Sequence, residues 1–415
     1  MRNLYAITTL AFALTTLCAA PVQAQQGETV KIGMMLPLSG PFAAQGQNYL
    51  KSWQFIAQKY SGAANPAGVK FEIVSFDNKG SPQETLNALK AAADQGLRYV
   101  TQQNGSGAAL ALSDAVTKFN ERNPGREILD ISSDAQDPSL TNEKCSFWFF
   151  RLDPDTGMKM EALTSFMKEQ PKIKRVYLIN QDYAHGHQVS KGFKDAIGKN
   201  RPDVVMVGDE LHPLGQVKDF APYAAKIKQS GADTIVTGNW GQDLTLLVKA
   251  LNDAGVKLPM YTYYANVTGT PTALAGSGDA EVFVITYAHP NLPGELAGLT
   301  KEFKDKFNDD YYHVASLNGI KLLSGAIAKA KSTDPVKVAQ AMEGLSAESF
   351  AGQVTMRKSD HQLQQSMFVT KWQKAQAGEY SVENTGFTFV PIKQIDMAVS
   401  STPTTCQMKR PAGAS

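Results

Sequence analysis

The 415-residue chain carries 41 Lys and Arg against 39 Asp and Glu, a formal net charge of +2, and is 43% hydrophobic. So balanced a charge, with lysines spread rather than striped, argues against nucleic acid as a partner. The length suffices for two domains with separate cores, and beyond the opening residues no apolar run approaches the ~18–20 residues that span a bilayer.

The opening MRNLYAITTLAFALTTLCAAPVQAQQ has Arg2, an apolar run from Leu4 to Ala20 and then Val22-Gln23-Ala24. That is the layout of a secretory signal cleaved near Ala24, so residues 1–24 are set aside from the fold and export is expected. A lipid anchor at Cys18 would want a small residue before it, and Leu17 stands there. Removal of the signal leaves Cys145 and Cys406, neither in a CxxC or metal-ligand spacing; in an oxidising compartment a disulfide between them is expected.

Strand-like and helix-period runs then alternate: VKIGMML with NYLKSWQFIAQKY, VKFEIVSF with SPQETLNALKAAADQ, LRYVTQQ with the alanine-rich run after Ser106, then REILDISS. Such alternation predicts a parallel sheet covered by helices on both faces. Around residues 150–161 a second series begins with the same grammar: KRVYLINQ with VSKGFKDAIG, DVVMVGDEL with DFAPYAAKIKQ, ADTIVTGNW with DLTLLVKALNDAG, then LPMYTYY and EVFVITYA. Two similar α/β lobes facing each other across a cleft are expected, with ligands at the carboxyl ends of the strands. The later helical runs 299–307, 317–331 and 336–344 follow the second series, a position that suggests a return to the first lobe.

The chain has no GxxxxGK[ST], GxSxG, HExxH or kinase-type set. Ser106 has no identifiable base for a nucleophilic role. His185-Gly186-His187 lacks a third ligand and reads as a loop pair beside the cleft rather than a metal site. The aromatic run SFWFFR, 146–151, reads as buried strand. No metal or cofactor is expected. The stretch QQNGSGAALALSDA, 102–115, is different: Gly105 and Gly107 flank Ser106 where a helix begins, and the first amides of a helix lack intrahelical acceptors, so an anion can dock there. Ser106 as a plain N-cap is the competing reading.

Taken together, VKIGMMLPLSGPFAAQGQ, VKFEIVSFDNKGSPQETLNALKAAADQG, ISSDAQDPSLT, FFRLDPDTG, NQDYAHG, DFAPYAAKIKQSGADTIVTG and LVKALNDAG stand in an order that resembles the periplasmic substrate-binding proteins of the leucine/isoleucine/valine-binding type, over roughly residues 29–390. The resemblance implies the type I periplasmic binding protein fold, an α/β protein of two Rossmann-like lobes with parallel sheets joined by three crossovers. Lobe 1 is expected at 28–151 plus about 288–352, and lobe 2 at 152–287 plus about 353–415. It further implies a periplasmic monomer that closes on a small-molecule ligand and hands it to an inner-membrane ABC permease, and it implies no enzyme activity.

By that resemblance Ser106, with Gly105 and Gly107, holds a ligand carboxylate without help from a lysine or arginine. The loop Asp134-Ala135-Gln136 adds contacts, and Tyr183 and Trp240 supply aromatic faces from lobe 2. Three departures stand out. The acid that holds a ligand ammonium in that family is replaced around Tyr263-Tyr264-Ala265-Asn266 by residues without a carboxylate, although Asp134 could substitute if it points into the cleft. Gln45 stands at the family's first-lobe tyrosine. The family's small disulfide is missing, Gly80 and Gly105 occupying its positions, which favours Cys145 with Cys406. The expected ligand is a small amphipathic carboxylate, a branched-chain or other neutral amino acid. The alternatives are an aromatic carboxylate lacking an amine, seated against Trp240, Tyr263 and Tyr264, or a ligand-sensing receptor on the same fold.

Overall fold

The computed structural model describes residues 27–103, 105–278 and 280–411; the expected signal, residues 1–24, lies outside them. The first series forms β1 (Thr29–Leu36), α1 (Ala43–Lys59), β2 (Lys70–Asp77), α2 (Pro82–Asp94), β3 (Tyr99–Gln102), α3 (Gly105–Arg122), β4 (Leu129–Ser132) and β5 (Phe149–Arg151). Its five strands are all parallel in the order β2-β1-β3-β4-β5. From Ile32 to Leu36 every residue of β1 is buried, as a central strand covered on both faces requires. The aromatic run 146–151 is buried and supplies the last strand.

The chain then crosses to α4 (Thr156–Met167), β6 (Arg175–Gln181), α5 (Ala184–Asn200), β7 (Val205–His212), α6 (Ala221–Gln229), β8 (Thr234–Thr237), α7 (Gly241–Asp253), β9 (Met260–Thr262), α8 (Thr270–Gly276) and β10 (Val282–Thr286). It returns through α9 (Glu295–Phe307), α10 (Ala315–Ala330) and α11 (Pro335–Met342), whose Leu299, Phe303, Leu317 and Val338 share one core with β1 and β3. A small antiparallel sheet follows, β11 (Ser346–Ser349), β12 (Gly352–Met356) and β13 (Leu363–Gln364). The last crossing leads to β14 (Met367–Lys374), β15 (Phe387–Ile395) and α12 (Met397–Ser400).

The second sheet runs β15-β14-β10-β9-β8-β6-β7. Its β14 and β15 are antiparallel, a hairpin that the alternating pattern did not reveal. Two boundaries differ from expectation. Val354, Met356 and Leu363, placed by sequence with the second lobe, are packed in the core of the first sheet. The final segment also lies on the first lobe: Cys406 is bonded to Cys145 with their Cα atoms 5.7 Å apart, and Thr404 Oγ1 donates to the Thr141 carbonyl at 2.7 Å. The first shift follows from apolar residues going to the face that buries them rather than to the nearest break in the repeat; the second is held by the disulfide and the polar contact.

In each sheet the strand order reverses at one point, between β1 and β3 and between β6 and β8, and the loops leaving those strands open a crevice. The two halves build that crevice alike. A Cβ at Gly46 would lie 1.8 Å from the Pro37 carbonyl oxygen, and one at Gly186 would lie 1.8 Å from that of Gln181. Glycine at both places lets α1 and α5 press against the loops that precede them. The residues just before these glycines, Gln45 and His185, are thereby held at equivalent positions on the crevice wall.

Candidate functional site

The crevice between the lobes has two adjoining chambers, called outer and inner, that share lining residues. The outer one, about 20 Å³, is walled by Gln45, Gly105, Ser106, Asp134, Gln136, Tyr183, His185, Trp240 and Tyr264, with Tyr49 and Gln103. Tyr49, Asp134 and Tyr264 also line the inner chamber, about 70 Å³, so they form the throat between the two.

In the outer chamber, Gly105 opens α3 with φ +65°, and a Cβ there would come within 3.0 Å of Tyr183 Cε2. Glycine is therefore what lets the second lobe close on this helix start. Ser106 is 1% exposed and its Oγ accepts from the Asp137 amide at 3.1 Å, which leaves its hydroxyl hydrogen free to donate. Opposite, Trp240 precedes α7 and donates from Nε1 to the Tyr183 hydroxyl at 2.7 Å. The Trp240 loop is tied down through Gln181, whose Nε2 donates to the Trp240 carbonyl at 3.1 Å and to Asp243 at 2.8 Å. Across the mouth Phe42 of the first lobe lies on Trp240 with ring centroids 4.3 Å apart, and Gln136 Nε2 bonds the Tyr264 hydroxyl.

Charge collects at the throat. Gln136 Nε2 also donates to Asp153 at 2.8 Å, and Asp153 pairs with Lys159 at 2.9 Å, both side chains being buried. The Lys159 ammonium stands 5.5 and 5.4 Å from the ring centroids of Tyr263 and Tyr264, a favourable placement of a cation over π faces. Asp134 is half-buried, and among the described residues nothing donates a hydrogen bond to its carboxylate. Burial first, and the neighbouring Asp153 second, push its carboxyl up to about 7 against the opposing pull of Lys159. The same burial holds His185 and His313 down to about 3 and His289 to about 4, so all three rings are neutral near pH 7. Burial also raises the Tyr49, Tyr263, Tyr264 and Tyr287 phenols well above the ordinary tyrosine range.

The residues singled out by sequence sort clearly. Gln45, Gly105, Ser106, Asp134, Gln136, Tyr183, Trp240 and Tyr264 share the outer chamber, and Tyr263 lines the inner one. Gly107 does not face the cleft: two residues beyond Gly105, about 200° around the helix, it looks toward Pro82 of α2. Ala135 is also turned away, fully buried with Ala109, Leu140 and Phe149, because successive side chains in this extended loop alternate between cleft and core. His185 and His187 begin a helix rather than sit in a loop. His185 is buried, whereas His187 faces outward beside Asp182 at 2.8 Å, and among the described residues no group of three or more ligating side chains could hold a metal.

Sequence reasoning passed over Tyr49, Asp153, Lys159, Tyr287, His289 and His313. Tyr49 could have been found, since it stands one turn beyond Gln45 on the same helix face. The others come from the crossovers and the returning segment, which become neighbours of the cleft only through the fold.

Residues 29–378 match the family described as Periplasmic binding protein. The Leu/Ile/Val-binding protein homolog 4 of Brucella abortus is 29% identical over 411 residues, covering 96% of this chain and 97% of that protein. Among solved structures, the leucine-, isoleucine-, valine-, threonine- and alanine-binding protein of Brucella ovis, in a closed conformation, is 30% identical with a TM-score of 0.81 over 92% of this chain and 100% of that one. A solute-binding protein of an ABC transporter from R. palustris, in complex with benzoate, superposes with a TM-score of 0.78 over 91% of this chain and 99% of that one; at 18% identity it speaks for the fold alone. With the match extending through both sheets and the cleft between them, the chain belongs to the periplasmic binding protein family, the solute-binding proteins of ABC transporters.

Proposed function

We propose that the chain is the exported, monomeric ligand receptor of an ABC importer and that it binds a neutral amino acid between its lobes before delivering it to an inner-membrane permease. In this reading Ser106 and the first amides of α3 hold the carboxylate, Asp134 holds the ammonium, Gln45 and Gln136 add polar contacts, and Tyr183, Trp240 and Tyr264 close over the ligand. Export with cleavage near Ala24 accords with periplasmic duty.

The observation that carries the reading is the Asp134 carboxylate, which faces both chambers and takes no hydrogen bond from any described residue. A carboxylate so placed costs free energy until a cation arrives, and an α-ammonium fits because the adjoining tyrosine rings also favour positive charge. It replaces, from the first lobe, the acid missing around Tyr263-Asn266. The second reading is an aromatic carboxylate without an amine, such as the benzoate held by the R. palustris relative; the rings of Tyr49, Tyr263, Tyr264 and Tyr287 around the inner chamber favour it.

Calorimetry with leucine, phenylalanine and their deaminated analogues separates the two. Amino acids should bind at least tenfold more tightly than the analogues, and Asp134→Asn should erase the difference. Equal affinity with and without the amine refutes the amino-acid reading.

A further inference from the structure

The inner chamber is larger than the outer one and shares Tyr49, Asp134 and Tyr264 with it, so it adjoins the place where the charged ends of a bound amino acid would sit. Its wall is mostly apolar, Val267, Ile285, Leu296 and Phe389 among its residues, with a few polar groups set into it. Tyr49 is 8% exposed and His289 6%, and neither side chain makes a hydrogen bond with any described residue. The half-buried Tyr287 hydroxyl likewise finds no partner among them. Tyr263, 3% exposed, has its hydroxyl buried without one. Native interiors rarely leave such groups unsatisfied, and several on one chamber mark a place where a ligand or water completes the bonding.

Other polar groups of the same wall are already occupied. Asp310 accepts from Lys304, from the Tyr380 hydroxyl at 2.5 Å, from the Tyr312 hydroxyl at 3.2 Å and from the Glu383 amide. His313 is hydrogen-bonded to Ser133 at 3.1 Å, and Lys159 is paired with Asp153. Apart from Asp134, what remains free is neutral: phenol hydroxyls, an imidazole and the Asn266 carboxamide, each able to donate or accept. A charged ligand group placed there would find no partner once Asp134 holds the ammonium, and burying it would be costly.

We infer that the inner chamber is a subsite for an uncharged hydrogen-bonding side chain, a hydroxyl or a carboxamide, borne by the amino acid whose charged ends occupy the outer chamber. This rests on the amino-acid reading above and narrows it: the preferred ligand is polar and neutral rather than branched and aliphatic.

Pairs of near-identical shape test it by calorimetry on the intact mature protein: threonine against valine, and asparagine against leucine, with lysine and aspartate as charged comparisons. The polar member of each pair should bind at least tenfold more tightly, because binding the apolar one leaves the site's polar atoms unpaired. Tyr287→Phe and His289→Leu should each pull that ratio toward one. The comparison on the unaltered protein decides the matter even if a variant folds poorly. Leucine and valine binding as tightly as their polar counterparts, or lysine or aspartate binding more tightly than asparagine, overturns the subsite while leaving amino-acid binding intact. Deaminated analogues binding as well as the amino acids overturns the amino-acid reading and this inference with it.

Discussion

If Asp134 receives the ligand ammonium, affinity must depend on pH with a definite sign. In the free protein the Asp134 carboxyl titrates at about 7, raised by burial and by Asp153 and lowered by Lys159. Only the ionised form attracts an ammonium, and the bound cation pulls the carboxyl back down, so binding releases a proton. Affinity is therefore full above pH 7 and falls as pH drops through 7, tenfold per unit, until the lower pKa of the complex is reached. At pH 5 about 1% of free Asp134 is ionised, which weakens binding about 100-fold, or about 2.7 kcal/mol at 1.36 kcal/mol per unit. The buried histidines do not blur this window, since His185 and His313 titrate near 3 and His289 near 4. A deaminated carboxylate has the opposite sign, because it meets a neutral Asp134 with less repulsion at low pH. Calorimetry from pH 5 to 9 in buffers of differing ionisation enthalpy gives both affinity and proton count. About half a proton released per ligand at pH 7, and a flat profile in Asp134→Asn, are expected. Amino-acid affinity that stays level or climbs between pH 7 and 5 refutes the assignment of Asp134.

Three further outcomes are expected. Ser106→Ala should weaken ligand binding by about 1.5–3 kcal/mol, the scale of a hydrogen bond to a charged group, while leaving thermal stability of the free protein within a few degrees; unchanged affinity would make Ser106 a helix-capping residue only. Gly105→Ala places a methyl 3.0 Å from the Tyr183 ring at a φ of +65°, so solution scattering should show less compaction on ligand saturation and affinity should fall at least tenfold. Because Cys145 and Cys406 are 261 residues apart in sequence, reduction should lower unfolding stability by about 2–5 kcal/mol and speed amide exchange in the segment after Ser401; equal stability of reduced and oxidised protein would count against the bridge.

Much of the architecture was legible because it repeats. Alternating strands and helices announce parallel sheets, and a serine between glycines at a helix start marks the carboxyl end of β3 whatever ligand it meets. The hairpin of β14 and β15 was not legible, since pairing direction depends on which edge of the sheet is free. At the site, Ser106, Tyr183 and Trp240 follow strands and sit where strand order reverses, which sequence grammar can locate. Gly107 and Ala135 were placed with them by the family resemblance, and helix rotation and loop alternation turn both side positions away from the cleft. Lys159 in the first turn of α4 carries no local sign of burial, yet it is 2% exposed, because Asp153, six residues earlier, pairs with it on the inner-chamber wall. His289, Tyr287 and His313 are neighbours of Asp134 only through the second crossing and the return segment, contacts over more than 150 residues that no local pattern encodes.

The two lobes bring unequal chemistry to the cleft, and that inequality bears on how closure works. The first lobe offers Ser106, Asp134 and Gln45, and the second offers the rings of Tyr183, Trp240 and Tyr264. With both charged ends of an amino acid assigned to the first lobe, a ligand can be oriented there before the second lobe moves, and the aromatic faces then add contacts that exist only in the closed state. A ligand shifts the lobe equilibrium only by that difference. Here the protein also supplies interlobe contacts of its own, Phe42 on Trp240 at 4.3 Å and Gln136 with Tyr264. These favour closure with or without ligand, so the differential affinity needed to populate the closed state is smaller than for lobes that touch only through the ligand.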